Sequence, residues 1–366
     1  MGLRVLITNR ELWSPSGTVT YVRDLALELQ RRGHTPLVFS STGGSVDEEL
    51  RASGVGVSDR LSRLGRPDII HAHHHAPTML ALRQWPTVPA IHICHDHLSP
   101  HDRTPLHDRI RRHFGVSRVC VKRLVDEGAP ADRVALLPNF VDTARFLPRP
   151  PLPRQARRAL LFSNYASAET HLPTVRAACL EAGLELDVAG IGTGNILDQP
   201  EHVLGSYDIV FAKGKAAIEA MAVGSAVVLC DFAGVGPMVS AAQFDALRER
   251  NFGFEALSEP VATGPLLRQV ARYDPEDAMR VRDLIRTKAG LQGAAEGLIT
   301  IYREVIAEYA SEVRPTRSVR AFAPWSREGV LLRIYWTWMS IPRERRERIA
   351  RLPGVRRAID RLRGLM

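Results

Sequence analysis

The chain has 366 residues, of which 45% are apolar, 24% charged and only 6% aromatic. This composition is typical of a folded protein and excludes wholesale disorder, and the length predicts about two domains of roughly 100–200 residues each. The net charge of +9 is concentrated in residues 314–366, which contain 14 Arg, no Lys and four acidic residues, whereas the preceding part is nearly neutral. We therefore expect a basic extension but no nucleic-acid partner.

The features that report on compartment favour a soluble cytoplasmic protein. The four cysteines are scattered without a C-x-x-C pair, which favours a reducing compartment over a disulfide framework or a structural zinc site. No stretch approaches the ~18 uninterrupted apolar residues of a membrane span. The first residues also show no signal-peptide cleavage site.

The first part of the chain is predicted to form a strand, a helix and a second strand. Residues 3–8 are an apolar run of strand length, and after a turn-rich loop apolar residues recur at helical spacing over 18–32. Gly33 ends that helix, and residues 35–40 form the next short apolar run. Such alternation is typical of a parallel sheet that helices cover on both faces.

The alternation continues and then restarts after a proline-rich segment, PRPPLP at 148–153, which is a natural interdomain linker. Apolar runs of strand type lie at 68–73, 90–96, 159–163, 184–192, 207–212 and 226–231, and helical patterns at 173–183, 215–222 and 264–312. The sequence therefore predicts α/β domains at 1–150 and 151–312, with the cleft between them as the expected site.

The basic extension, 313–366, has a different pattern. Residues 330–341 are dense in aromatic side chains, and residues 343–364 form an amphipathic, arginine-rich helical pattern. Two interpretations are open: packing across the domains with solvated arginines, or contact with an anionic inner membrane surface near a lipid-linked acceptor. The first is favoured for 326–341 and the second for 343–366.

Two groups of residues in the first domain are candidates for the site. Gly17 opens the first helix after a strand, where backbone N–H groups and the helix dipole suit an anion, although a tight turn without a ligand fits equally well.

Eight of the 13 histidines lie between residues 71 and 101. His73, His95 and Asp96 follow strand ends, where open α/β sheets bind ligands. A polar cleft lining is favoured over a metal site, because the spacing lacks a metal-ligand motif. His95 is the best candidate to touch substrate, and a structural histidine is the alternative.

A third group lies at a strand–turn–helix corner in the second domain. The strand ends in A-K-G-K, and the small-residue helix that follows carries one acid, Glu219. Its carboxylate suits two hydroxyls of a ribose, and Lys213 and Lys215 at the helix start suit phosphate charge. A solvated Glu219 with surface lysines is the alternative.

At these residues the sequence resembles the family 4 glycosyltransferases, retaining nucleotide-sugar enzymes of the GT-B fold. The resemblance covers about residues 3–310 and is carried by SGTVTYVRDLALELQRRGH (16–34), PDIIHAH (67–73), HD (95–96), LLPNFVDTARFLPR (136–149) and IEAMAVGSAVV (218–228). It implies that Gly17 lies near the donor diphosphate and the acceptor, and that His95 lies near the transferred sugar. It also implies that Glu219 holds the donor ribose and that Asn139 lies at the domain crossover.

The sequence departs from the family pattern at two places. Phe211 stands where the first acid of the E-x7-E motif is expected, and the loop around it is collapsed into AKGK. The Arg/Lys pair that usually neutralises the diphosphate is replaced by Ser163, Asn164 and a later His171. Ser163 and Asn164 are expected in the donor site, and His171 is expected to line the cleft. We therefore hypothesise that Lys213 and Lys215 act as the cations.

The resemblance implies transfer of a sugar from a nucleoside diphosphate sugar, with retention and without a metal or other cofactor. The acceptor would be a glycan, a lipid-linked molecule or a small molecule. Two alternatives to the transferase stay open. The first, which the departures motivate, is a catalytically inactive GT-B protein that binds nucleotide or glycan as an assembly partner. The second is a sugar-nucleotide 2-epimerase, which shares the two-domain fold.

Overall fold

Two sheets organise the part of the chain that the computed structural model describes, residues 2–13, 16–197 and 199–312. The predictions for 313–366 lie outside these residues. The first domain contains strands β1 (Arg4–Asn9), β2 (Thr35–Ser40), β3 (Gly56–Ser58), β4 (Ile69–His73), β5 (Ala90–Cys94), β6 (Ile110–Gly115) and β7 (Val134–Leu136), and helices α1 (Gly17–Arg31), α2 (Ser45–Ala52), α3 (His75–Gln84) and α4 (Arg118–Asp126).

The second sheet begins after the proline-rich segment. It contains strands β8 (Arg158–Phe162), β9 (Glu185–Ala189), β10 (Ile209–Ala212), β11 (Ala226–Asp231) and β12 (Gly234–Met238). The helices of this part are α5 (Leu172–Glu181), α6 (Pro200–Val203), α7 (Gly214–Val223), α8 (Phe244–Glu249), α9 (Thr263–Val270), α10 (Pro275–Lys288) and α11 (Leu291–Ser311). The predicted pair of α/β sheets is confirmed.

The strand orders locate the crevices in which such sheets bind ligands. The first sheet has the order β3-β2-β1-β4-β5-β6-β7, and its pairs are parallel. The second has the order β12-β11-β10-β8-β9, with only the β11–β12 pair antiparallel. The order reverses direction between β1 and β4 and between β8 and β10. Ligand crevices are therefore expected beyond the carboxyl ends of these four strands.

Burial explains why the strands form where they do. Every residue of β4, β5, β10 and β11 is buried, so these strands read as continuous apolar runs rather than as alternating patterns. In α7, eight of the ten residues are buried, because the helix packs its small side chains between the sheet and α10. The start of α7 is thereby held rigidly at the carboxyl end of β10.

The chain crosses between the domains twice. At the second crossing, the backbone N–H of Leu291 donates to the carbonyl of Val141, and that of Val141 donates to the carbonyl of Ala289. Helix α11 then packs Leu298, Tyr302 and Val305 into the core of the first domain, although its sequence follows the second. The boundary at residue 150 stays a prediction. No helix within 2–13, 16–197 and 199–312 has the length and apolarity that a membrane span requires.

Candidate active site

A cleft of about 460 Å³ lies between the two domains, at the carboxyl ends of the strands beside both reversal points. The first domain contributes Gly17 and His95 to its lining, and the second contributes Glu219. The other predicted site residues that line it are Ser163, Asn164, Lys213, Lys215, Asp96 and Asn139. The structure thus brings together candidates that are up to 202 positions apart in the printed sequence.

Two helices begin at the cleft, with their first residues close to each other. Helix α1 is capped by Ser16, whose hydroxyl accepts a hydrogen bond from the N–H of Val19. Helix α7 begins at Gly214, with φ of 58° and without a side-chain cap. A Cβ on Gly17 would lie 3.7 Å from the Cβ of Lys215, so the two helix starts are in near contact. Free N–H groups and the positive ends of both dipoles make this place suitable for an anion.

Glu219 lies on α7 and is only 5% exposed, with that exposure directed to the cleft. Burial raises the pKa of its carboxyl group to about 7, against the opposing charges of Lys215 and Arg23. No other described residue donates a hydrogen bond to this carboxyl group. A desolvated acid without a hydrogen-bond donor is a costly arrangement in the free protein, and it provides two oxygens that can accept hydrogen bonds from hydroxyl groups.

Both predicted cations at the start of α7 already face a carboxylate. Lys215 is 7% exposed, and its Nζ lies 3.0 Å from Oδ2 of Asp24 on α1 and donates to the carbonyl of Phe140 at 2.8 Å. Lys213 Nζ lies 3.3 Å from Oδ2 of Asp231 and 4.0 Å from the ring centroid of Phe254. Lys215 therefore joins the two domains, and each lysine has its charge partly balanced.

The sequence analysis missed Arg250, an exposed residue that lines the same cleft just after α8. No described residue forms an ion pair with its guanidinium group, in contrast to Lys213 and Lys215. It precedes Asn251 and Phe252, two non-glycine residues with φ of 54° and 49°. The carbonyl of Phe252 accepts the N–H of Gly214, which fixes this turn beside the start of α7. In the sequence, the one local signal for this residue is that an arginine directly precedes the turn-forming residues Asn-Phe-Gly.

His95 follows β5 and is held at two points. Its main-chain N–H donates to Oδ1 of Asp102 at 2.9 Å, and its ring Nε2 lies 2.8 Å from Nδ1 of His73. Burial, together with the charges of His74 and other neighbours, lowers the pKa of His95 well below 6.5. The ring is therefore neutral at physiological pH, and it faces the cleft with a fixed orientation.

Two residues expected to line the cleft lie behind it instead. His73 is fully buried beneath His95, because it occupies the last position of β4 with its side chain on the inner face. His171 is 1% exposed at the start of α5, and the surrounding charges acting on it are those of Asp231 and Lys213. The sequence analysis placed both residues near the cleft, but it did not predict that their side chains are buried behind it.

The remaining predicted residues shape the loops around the cleft. The N–H of Asn139 donates to Oδ1 of Asn251 at 3.1 Å, which ties the first crossing to the turn that carries Arg250. Asn164 Oδ1 accepts the N–H of Ile191 at 3.2 Å, and the Ser163 hydroxyl accepts the N–H of Tyr165, so the loop after β8 is held by its own side chains.

Phe211 is fully buried within β10, so its side chain packs in the core of the second domain rather than facing the cleft. Lys213 and Gly214 follow this strand directly, at the start of α7. Across the described ranges, no three His, Cys, Asp or Glu side chains are grouped so that they could hold a metal ion.

Comparison with known proteins agrees with this geometry. Residues 15–145, which are less than half of the chain, match the model of Glycosyltransferase Family 4. No curated protein matches the sequence. The matched segment includes Gly17, the histidine-rich strands and His95, so the sequence similarity is concentrated on the first domain and its side of the cleft.

Solved structures extend the similarity to both domains. A glycosyltransferase from Rickettsia africae has a TM-score of 0.60 at 15% identity, covering 83% of this chain and 99% of its own. Anabaena HepE, crystallised with UDP and glucose, has a TM-score of 0.61 at 12% identity, covering 82% and 99%. AviGT4, a glycosyltransferase of avilamycin A biosynthesis, has a TM-score of 0.52 at 17% identity, covering 83% and 98%. The molecule thus has the GT-B fold of glycosyltransferases, with an N-terminal domain that is similar in sequence to family 4.

Proposed function

We propose that the protein is a glycosyltransferase that takes a sugar from a nucleoside diphosphate sugar and transfers it with retention of anomeric configuration. The acceptor is a glycan, a lipid-linked molecule or a small molecule. The observation that carries the proposal is the placement of Glu219 and His95, from opposite domains, in one cleft where two helices begin. That arrangement combines an acceptor of hydroxyl hydrogen bonds, an anion site and a neutral imidazole.

The nucleoside diphosphate occupies the side of the cleft formed by the second domain. The diphosphate lies at the start of α7, where uncapped N–H groups and the helix dipole stabilise negative charge. Lys213 and Arg250 supply cationic side chains, and the ribose hydroxyls donate to Glu219. The loop of Ser163 and Asn164 lies beside the diphosphate. The crystal structure of Anabaena HepE with UDP and glucose supports this class of ligand for the fold.

The transfer step requires stabilisation of the charge that develops on the leaving diphosphate. Preorganised N–H groups and cations beside α7 meet that requirement in a cleft partly shielded from water. His95 lies across from them and positions or polarises groups beside the anomeric carbon. The transfer then takes place on one face of the sugar, without a covalent intermediate between the sugar and the protein. The two interdomain crossings allow the domains to close over the donor.

The experiment is a panel of UDP-, GDP- and dTDP-sugars, in which release of nucleoside diphosphate and the identity of the sugar product are measured. We expect one donor class to be turned over by the full chain, with the rate lost in His95→Ala and Glu219→Gln. Glu296→Gln, an exposed substitution on α11, is the matched control and keeps full activity. Turnover unaffected by both cleft substitutions would contradict the proposed site.

A second candidate function is an inactive GT-B protein that binds nucleotide or glycan as an assembly partner. It is favoured by the ion pairs of Lys213 with Asp231 and of Lys215 with Asp24, which reduce the charge available to a diphosphate. The same panel separates the candidates. Ligand-induced stabilisation without any turnover supports the binder, whereas a changed sugar nucleotide formed without an acceptor supports a 2-epimerase.

The arginine-rich residues 343–366, which lie outside the described structure, are proposed to contact an anionic membrane surface. Such a contact would bring the cleft near a lipid-linked acceptor at the inner face of the membrane. Cosedimentation with anionic vesicles, with and without residues 343–366, tests the idea. Binding at low salt should fall on truncation, and equal binding of both forms would contradict it.

A further inference from the structure

A cluster of aromatic side chains lies directly behind His95, within the first domain. We call the residues His71, His73, His95, Tyr21 and Tyr302 the histidine cluster. His73 Nδ1 lies 2.8 Å from His95 Nε2, and His71 Nδ1 lies 2.6 Å from the hydroxyl of Tyr302 on α11. The ring of Tyr21 packs edge-on against both His73 and His95, at centroid distances of 5.1 and 5.0 Å. Of these histidines, only His95 reaches the cleft.

The contact between His73 and His95 contains a single hydrogen bond whose direction can be worked out. Burial, followed by the charges of neighbouring histidines, lowers the pKa of both rings well below 6.5, so each ring carries one proton. Either His95 donates from Nε2 to His73, or His73 donates from Nδ1 to His95. The two arrangements differ in the atom that each ring leaves without a partner.

The surroundings of His73 decide between them. Its second nitrogen, Nε2, is buried and has no hydrogen-bond partner among the described residues. If His95 were the donor, the proton of His73 would lie on this Nε2 as a buried N–H without an acceptor. Orphaned buried N–H groups are rarer in proteins than under-satisfied buried acceptors, so an unprotonated Nε2 is the favoured state of this atom. The arrangement in which His73 donates avoids that N–H.

We propose that His73 is a positioning residue that fixes the tautomer of His95, so that His95 presents its Nδ1–H to the cleft as a hydrogen-bond donor. The acceptor is an oxygen of the bound ligand, a sugar hydroxyl or a phosphate oxygen; this assignment of the ligand rests on the proposed function, whereas the tautomer does not. Nδ1 of His95 has no hydrogen bond to any other described residue. His95 therefore donates a hydrogen bond and does not take up a proton at this atom.

The main chain holds both rings in place for this role. The N–H of His73 donates to the hydroxyl of Thr8 at 3.1 Å, and that hydroxyl lies 3.2 Å from the carbonyl of His73. The N–H of His95 donates to Asp102, as described above. Because β4 and β5 are paired in parallel, with His73 opposite Ile93, the sheet holds the main chains that carry the two rings close together.

A comparison of amide substitutions tests which ring nitrogen matters. The amide of asparagine places its N–H near the position of Nδ1, whereas that of glutamine places it near Nε2. We expect His95→Asn to retain turnover within about 10-fold of the native chain, and His95→Gln to lose about 10²–10³-fold, the cost of one lost transition-state donor. Likewise His73→Asn, which keeps a donor, should exceed His73→Leu in kcat with a similar Tm. A reversed order for His95 would overturn the proposal.

The ¹⁵N chemical shifts of His95 in the ligand-free full chain give the direct readout, with His95→Asn and His73→Asn used for assignment. We expect a protonated Nδ1 and an unprotonated Nε2 in the native chain, and a mixture of both tautomers in His73→Leu. A protonated Nε2 in the native chain would overturn the proposal. This spectrum is independent of turnover, so it separates failure of the tautomer assignment from failure of the proposed function.

Discussion

Removal of the negative charge at Glu219 should stabilise the protein while it weakens nucleotide binding. The carboxyl group is 5% exposed on α7, and its burial raises its pKa from 4.5 to about 7. Lys215 and Arg23 oppose this rise, whereas Asp24 and Glu201 add to it. Between these two pH values the folded state holds the proton more tightly than the unfolded chain, so stability from this group is lost as pH rises.

The magnitude follows from the two pKa values. Glutamine does not titrate, so Glu219→Gln should exceed the native chain in free energy of unfolding by about 1 kcal/mol at pH 5 and about 3 kcal/mol at pH 8. Urea unfolding of both proteins at the two pH values measures the difference. The exposed Glu296→Gln control should change stability by less than about 0.5 kcal/mol at either pH.

A second readout connects this stability to the ligand. Ribose hydroxyls that donate to the ionised Glu219 replace the solvation that burial removed, so a nucleoside diphosphate should raise the Tm of the native chain more than that of Glu219→Gln. A stability difference that is equal at pH 5 and pH 8 would refute the desolvation argument. An unchanged ligand-induced rise in Tm would refute the ribose contact.

Three further predictions concern the opposite walls of the cleft. The pair Lys215→Met and Asp24→Asn should show a coupling of about 1–3 kcal/mol in a double-mutant cycle of urea unfolding, because this interdomain pair is desolvated; additive effects would contradict it. Arg250→Ala should raise the donor KM about 10-fold through loss of a charge-assisted hydrogen bond, and it should leave Tm unchanged. The control Arg60→Ala, at an exposed residue, should change neither the donor KM nor Tm. A donor KM equal to that of the native chain would remove Arg250 from the site. Gly17→Ala should fold normally, because the added Cβ would lie 3.7 Å from the Cβ of Lys215. The methyl group should nevertheless lower kcat/KM about 10-fold, because it keeps the ligand away from the two helix starts. Native kinetics would contradict this.

The buried strands could be predicted from the sequence because their apolar runs are short enough for strands and too short for most helices. The runs at 35–40 and 226–231 coincide with β2 and β11. Strand β6 was not predicted as a strand, because it carries two adjacent arginines. Arg111 in this strand pairs with Glu308 on α11 at 2.7 Å. The partner is far away in the sequence, so no local pattern could show that the charge is compensated.

The site could be predicted in outline but not in its charge balance. Glu219 and His95 were identified because each follows a strand at a carboxyl edge, and the topology brings these edges together. The ion pair of Lys215 was hidden, because Asp24 lies in a helix whose charged residues look solvated although Asp24 is 3% exposed. The contact of His73 with His95 depends on the pairing register of β4 and β5, which the residue pattern does not specify.

A crystal structure of the full chain, with the nucleoside diphosphate that most raises its Tm, tests the central claim most directly. The account predicts that the diphosphate lies at the start of α7, that the ribose hydroxyls donate to Glu219, and that His95 lies across the cleft from the phosphate. A nucleotide bound outside the cleft, or bound within it without contact to Glu219, would contradict the account.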